Sequence, residues 1–201
     1  MTAADYDQDY TDYQRNRSGL RKLVRGMYLG KAASLLKGAT LDFGCGVGEL
    51  LARLPEGSKG LEYNQATVEH CRRNGLDVDF YDGYSDDWKL SGLSDARRFD
   101  SMVVSHVLEH MEDPVGILSK LLVSARRLGI TRVLVIVPGQ AGYRIDSTHR
   151  TFVDRKTLST PEVIADTGFK AATMRYFPGN LRAIGDWFPH HELQALFVRA
   201  P

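Results

Sequence analysis

Only two cysteines, Cys45 and Cys71, occur in this 201-residue chain, and they lack metal-ligand spacing. That scarcity points to free thiols in a reducing compartment. Neither sign of charge is in surplus. The 26 Lys and Arg against 25 Asp and Glu leave a formal net charge of +1, which gives no electrostatic case for a nucleic-acid or membrane partner. No apolar run approaches membrane-spanning length, the N-terminus is acidic and polar rather than a signal peptide, and there is no internal repeat or low-complexity tract. The composition, 43% hydrophobic and 25% charged, is that of an ordinary globular protein. The length suits one domain with a substantial core. The expectation is a soluble, cytoplasmic protein.

The most informative stretch runs from Thr40 to Leu51. A short apolar run reads as a buried strand, breaks into glycines at Gly44, Gly46 and Gly48, and is followed by an apolar helical pattern. Glycine tolerates positive φ and has no Cβ to block a ligand lying on the main chain. Between a strand and a helix such a loop offers N–H groups to a bound small molecule. A dinucleotide loop places its third glycine at the sixth position, where this chain has Glu49, whose charge opposes a pyrophosphate. The acid followed by Gly-x-Gly-x-Gly (Asp42, Gly44, Gly46, Gly48) resembles motif I of the class I S-adenosylmethionine-dependent methyltransferases.

The rest of the chain is read against that resemblance. Residues 1–38 form an acidic, tyrosine-bearing arm (Tyr6, Tyr10, Tyr13) and a helix from Arg17 to Lys37 whose Arg21, Lys22, Arg25 and Lys31 face solvent. The arm is either a frayed terminus or a lid over a ligand. The resemblance implies that residues 39–201 form the methyltransferase domain. After the glycine loop a short helix reaches Leu54. Strands follow at 59–62, 78–81, 99–106 and 131–137, alternating with helices from Ala66 and from Pro114, the latter N-capped by Asp113. This alternation predicts a doubly wound parallel sheet. Residues 171–177 and 193–199 read as a closing antiparallel pair, with an aromatic insertion at 178–191 between them. The resemblance therefore implies a seven-stranded, mostly parallel α/β sheet with a C-terminal antiparallel hairpin, the Rossmann-like methyltransferase fold.

Ligands bind such sheets beyond the carboxyl ends of the parallel strands. Glu62 ends the second strand, where a carboxylate accepts from ribose hydroxyls. The cofactor set implied by the resemblance is Asp42, Gly44, Cys45, Gly46, Gly48, Glu62, Tyr63, Asp82, Ser105 and His106, with S-adenosyl-L-methionine as cofactor. Asp82 is equally readable as a turn residue before Gly83, and Trp88 reads as core.

His110, within a Leu-Glu-His stretch similar to that of small-molecule O-methyltransferases, and His149 are the candidate catalytic residues, one as general base and the other orienting substrate. The partner is then a small-molecule methyl acceptor, such as a sugar or hydroxylated metabolite. A second reading groups His106, Glu109 and His110, on one face of a helical turn, with His149 as a divalent-metal cluster. It is similar to the metal site of small-RNA 2′-O-methyltransferases, with His106 in place of that family's first glutamate. Arg144, Arg150 and Arg155 either grip an anionic group or are solvated. A nicotinamide-linked oxidoreductase and a non-catalytic cofactor-binding module remain as alternatives. The sequence names neither the acceptor nor the oligomeric state.

Overall fold

The computed structural model describes residues 19–93 and 98–200, with side chains from Arg25 onward. The tyrosine-bearing arm lies outside the described residues. Helix α1 (Gly19–Leu35) leads into β1 (Thr40–Phe43), β2 (Lys59–Glu62), α2 (Gln65–Arg73), β3 (Val78–Phe80), α3 (Gly83–Asp86) and β4 (Ser101–Ser105). Then come α4 (Pro114–Arg127), β5 (Arg132–Pro138), α5 (Gln140–Ile145), α6 (Arg155–Leu158), α7 (Pro161–Ile164), β6 (Phe169–Phe177) and β7 (Glu192–Arg199).

The strands make one seven-stranded sheet in the order β3-β2-β1-β4-β5-β7-β6. β1 to β5 pair in parallel, and β7 runs antiparallel to both β5 and β6. This is the expected sheet with its closing hairpin. β1 and β4 are the central strands, and their order reverses there, which opens a crevice at their carboxyl ends.

Strand periodicity sorts the core onto two faces. Met102 and Val104 of β4, with Val133, Val135 and Val137 of β5, join α4 in one cluster. The intervening Val103, Leu134 and Ile136 join Leu29 and Ala32 of α1 in another. Both faces are covered, so the strands read as continuous apolar runs instead of alternating ones. Helix α4 starts as the sequence predicts: Asp113 accepts from the Gly116 N–H at 2.9 Å, with Pro114 in the first turn. Trp88 is buried against Phe43. Among the described residues no helix is long and apolar enough to cross a membrane.

One local expectation is corrected. The helix expected behind the glycine loop is a single 3₁₀ turn, Leu51–Arg53. Only a few residues separate Gly48 from Pro55, and the residue before a proline is pushed out of the helical region; Leu54 is extended at ψ 156°. The segment after β5 contains α5 and carries His149 just beyond it.

Candidate active site

β1 ends by carrying a carboxylate into a tight glycine turn. Asp42 is buried, and its Oδ2 has no hydrogen-bond partner among the described residues. Burial, then the negative charge of Glu62, raises its pKa to about 7. The chain then turns through Gly44, Gly46 and Gly48 at φ 71°, 53° and 78°. A Cβ on Gly44 would lie 2.4 Å from Val107 Cγ2, and one on Gly48 2.3 Å from Leu76 Cδ1. Positive φ and close approach both demand glycine here.

The cradle is held from below. Gly44 and Cys45 donate their N–H groups to the Leu61 carbonyl at 2.8 and 3.1 Å. Glu62 accepts from Gly46 N–H at 2.8 Å through Oε2 and from Asn64 N–H at 2.9 Å through Oε1. Burial raises the Glu62 pKa, and these N–H bonds oppose the shift. Each oxygen retains acceptor capacity for a further donor. The Cys45 and Cys71 thiols are free and both donate to the Gly46 carbonyl.

The opposite wall is built from β4 and the two loops beyond it. His106 stands at the end of β4 with φ 55°, an uncommon conformation for a non-glycine residue. Its Nδ1 lies 3.1 Å from Glu109 Oε1 and its Nε2 3.4 Å from Glu192 Oε2. Burial alone would lower its pKa, but the two carboxylates outweigh it and lift the value to about 9. Glu109 is fully buried in the 3₁₀ turn Leu108–His110, and its Oε2 has no partner among the described residues.

Backbone bonds strap the His149 loop to that turn. Arg150 and Thr151 donate their N–H groups to the Glu109 carbonyl at 2.8 and 3.1 Å. The rings of His110 and His149 come within 4.7 Å of each other, edge to face, and Tyr143 stacks on His149 at 5.4 Å.

Hydrogen bonding fixes both tautomers. His149 Nδ1 is 2.8 Å from the Tyr143 carbonyl, which can only accept, so Nδ1 carries the proton. The Thr148 hydroxyl donates to Asp146 Oδ1 at 2.6 Å and therefore accepts from His110 Nδ1 at 3.1 Å. In the neutral rings both Nε2 atoms keep their lone pairs. Burial lowers the His110 pKa, with the nearby His149 acting in the same direction.

The two walls enclose an open cleft of about 290 Å³. Of the residues singled out from sequence, Asp42, Gly44, Cys45, Gly46, Ser105, His106, His110 and His149 line it. Gly48 packs behind the loop on Leu76, and Glu62 braces the loop from beneath. Tyr63 lies exposed beside Glu62, its ring 5.9 Å from that of Phe80. Asp82 does not face this cleft: its Oδ1 caps α3, accepting from Tyr84 N–H at 3.0 Å and Ser85 N–H at 3.4 Å.

Several contributors were missed. Arg25, read as solvated, reaches the rim and pairs with Glu49 at 2.9 Å. Glu192, from β7, clamps His106. Pro189 of the 178–191 insertion also lines the cleft. Arg150 pairs with Glu112 at 2.6 Å, and Arg155 lies over the Tyr176 ring and donates to the Met174 carbonyl. Only contacts across the folded sheet bring Arg25 and Glu192 here, and no sequence signal marks them.

Solved structures share this fold. A SAM-dependent methyltransferase from Archaeoglobus fulgidus matches with a TM-score of 0.65 at 20% identity, over 89% of this chain and 94% of its own. DhpI, in complex with SAH, matches with a TM-score of 0.62 at 16% identity, over 98% and 95%. Magnesium protoporphyrin IX methyltransferase from Synechocystis PCC 6803 with bound SAH matches with a TM-score of 0.57 at 16% identity, over 100% and 89%. The fold is that of the class I S-adenosylmethionine-dependent methyltransferases. No curated protein matches the sequence. The family model described as methionine biosynthesis protein MetW matches residues 33–144.

Proposed function

We propose that this chain, which belongs to the family of methionine biosynthesis protein MetW, is an S-adenosylmethionine-dependent methyltransferase acting on the oxygen of a small hydroxylated metabolite or sugar. The observation that carries the reading is one cleft with two unlike ends. One end is a glycine cradle with a buried Asp42 whose Oδ2 has no partner among the described residues; the other presents two imidazoles with free Nε2 lone pairs.

The cofactor fits the first end. A glycine turn held at positive φ suits a ligand lying on the backbone, and the unpartnered Asp42 Oδ2 suits an ammonium group. Gly44, Cys45 and Gly46 would hold the cofactor's amino-acid part, and Glu62 its ribose hydroxyls, with Tyr63 beside them. SAH and SAM bound to solved structures of the same fold are in keeping with this. The cofactor supplies a sulfonium methyl, which passes to the acceptor oxygen while the carbon–sulfur electron pair stays on sulfur.

The chain's own residues position the acceptor and take its proton. Methyl transfer needs nucleophile and methyl held in line with water excluded. His110 and His149 flank the acceptor's place. As the acceptor oxygen attacks, its proton goes to the Nε2 of His110 or His149, whose Nδ1–H stays tied to Thr148 or Tyr143. The near-neutral composition favours a small molecule over nucleic acid.

Calorimetric titration with S-adenosylhomocysteine, with NAD as comparator, tests the cofactor assignment: binding of the former alone is expected, and binding of NAD alone refutes it. Turnover of a hydroxylated acceptor panel by His110→Ala and His149→Ala tests the base. Near-normal turnover in both variants eliminates it.

A further inference from the structure

We infer that Glu109, His110 and His149 form a divalent-cation site at the acceptor end of the cleft. One potential ligand atom from each lies within 4.8 Å of the others. Neighbouring ligands on a shell of about 2.1 Å radius are roughly 3 to 3.5 Å apart, so small side-chain rotations close the set. Two imidazoles and one carboxylate suit a first-row transition ion such as zinc, manganese or cobalt better than magnesium.

The second and independent observation is a buried acceptor with no donor. Glu109 is fully buried, yet its Oε2 has no partner among the described residues. Such an oxygen normally costs stability unless something satisfies it. All three ligands also have an outer partner, as metal ligands do. His149 is oriented by the Tyr143 carbonyl, His110 by the Thr148–Asp146 chain, and Glu109 Oε1 by His106. In each case the outer bond leaves another lone-pair atom without a hydrogen bond, and His149 Nε2 lies 4.0 Å from Glu109 Oε1 and 3.9 Å from Asp146 Oδ2.

The set differs from the one expected from sequence. His106 stands outside the cluster, because both its nitrogens face carboxylates, those of Glu109 and Glu192. It is a positioning residue for Glu109 and not a ligand. Three protein ligands leave coordination positions open, and the cluster lines the cleft. The class of ligand for those positions is an acceptor with a hydroxyl oxygen, preferably with a second oxygen near enough to chelate.

The inference rests on the reading of this end as the acceptor end. It changes one role: with a cation bound, the two Nε2 atoms serve as ligands. A cation held there would supply charge that raises the acidity of an acceptor hydroxyl, whose proton would leave to solvent.

The test uses the full chain freed of metal by chelator and dialysis. Cobalt(II) and zinc(II) are titrated separately, with calorimetry and cobalt visible absorption as readouts. One equivalent is expected, with the intense absorption of a low-coordinate cobalt site. His149→Ala and Glu109→Gln should each weaken binding at least tenfold. Thr148→Val, which leaves all ligands in place, should weaken it about tenfold through the outer bond. Circular dichroism and S-adenosylhomocysteine titration check that each variant is folded. If a ligand variant does not fold, Thr148→Val decides the outcome. Absence of stoichiometric binding, or binding unchanged in the folded variants, overturns the inference. Full turnover by chelated protein that binds S-adenosylhomocysteine also overturns it, while leaving the proposed activity intact. Stoichiometric cobalt binding without S-adenosylhomocysteine binding would sink the activity and keep the site.

Discussion

Replacing Asp42 by asparagine should change the pH dependence of stability in a way fixed by the fold. The carboxyl is buried, faces the Glu62 carboxylate and the Cys45 thiol, and has a pKa raised to about 7 from its usual 3.8. An acid whose pKa is raised on folding binds more protons folded than unfolded between those two values. Stability therefore falls as pH rises from about 4 to about 7 and stays reduced above that. The full span is roughly 4 kcal/mol at about 1.4 kcal/mol per pH unit, of which about 2.5 kcal/mol falls between pH 5 and 8. Asp42→Asn is neutral throughout and lacks this slope. Urea unfolding of both proteins at pH 5, 6, 7 and 8 measures it: the stability difference between variant and wild type should move by about 2.5 kcal/mol in favour of the variant as pH rises. Parallel profiles would refute the reasoning, because Asp42 would then titrate normally. The same proton reports on the ligand. An ammonium brought to Asp42 favours its ionised form, so S-adenosylhomocysteine binding near pH 6.5 should release most of one proton in wild type and none in Asp42→Asn. Titration in two buffers of different ionisation enthalpy reads this directly.

Three other perturbations follow from the cradle and its rim. Gly48→Ala puts a Cβ 2.3 Å from Leu76 Cδ1 at φ 78°; it should cost about 1 to 3 kcal/mol, seen as a lower thermal midpoint together with weaker S-adenosylhomocysteine binding. Glu62→Ala removes the acceptor of the Gly46 and Asn64 N–H groups, and calorimetry should show S-adenosylhomocysteine affinity falling at least tenfold. Arg25→Ala breaks a rim ion pair whose partners are each about a third exposed, so unfolding free energy should shift by less than about 1 kcal/mol; any larger loss would mean that α1 is anchored through this pair.

What could be read in advance divides along a physical line. The parallel strands were legible because a sheet covered on both faces writes itself as unbroken apolar runs, as in Met102–Val104 and Val133–Val137. The glycine turn was legible because positive φ leaves few residue choices. The α4 cap was legible because Asp113 and Pro114 act locally. The illegible parts depend on distance. Glu192 reaches His106 because β7 runs antiparallel beside β5, setting Glu192 against Pro138, and nothing near His106 in the sequence announces that. The charge on Arg25 is the same whether solvated or turned onto Glu49. Asp82 offered two local roles, and the structure shows the cap, because two backbone N–H groups lie within its reach.

The two ends of the cleft are mechanically joined, which bears on how the site would work. Gly44 packs so closely under Val107 that a Cβ would overlap it, and Val107 lies between His106 and the turn that carries Glu109 and His110. The His106 N–H is fixed to the Ile136 carbonyl at 2.9 Å, so β5 sets where that turn begins. A ligand that shifts the glycine cradle therefore presses on the residue leading into the Glu109–His110 turn, and the rigid β4–β5 pair gives that pressure little room to dissipate. The same contact works in reverse: ordering the Glu109 turn around a ligand would firm the floor of the glycine loop. Binding at the two ends should then be cooperative, through one packed contact between a glycine and a valine and without any larger rearrangement of the fold.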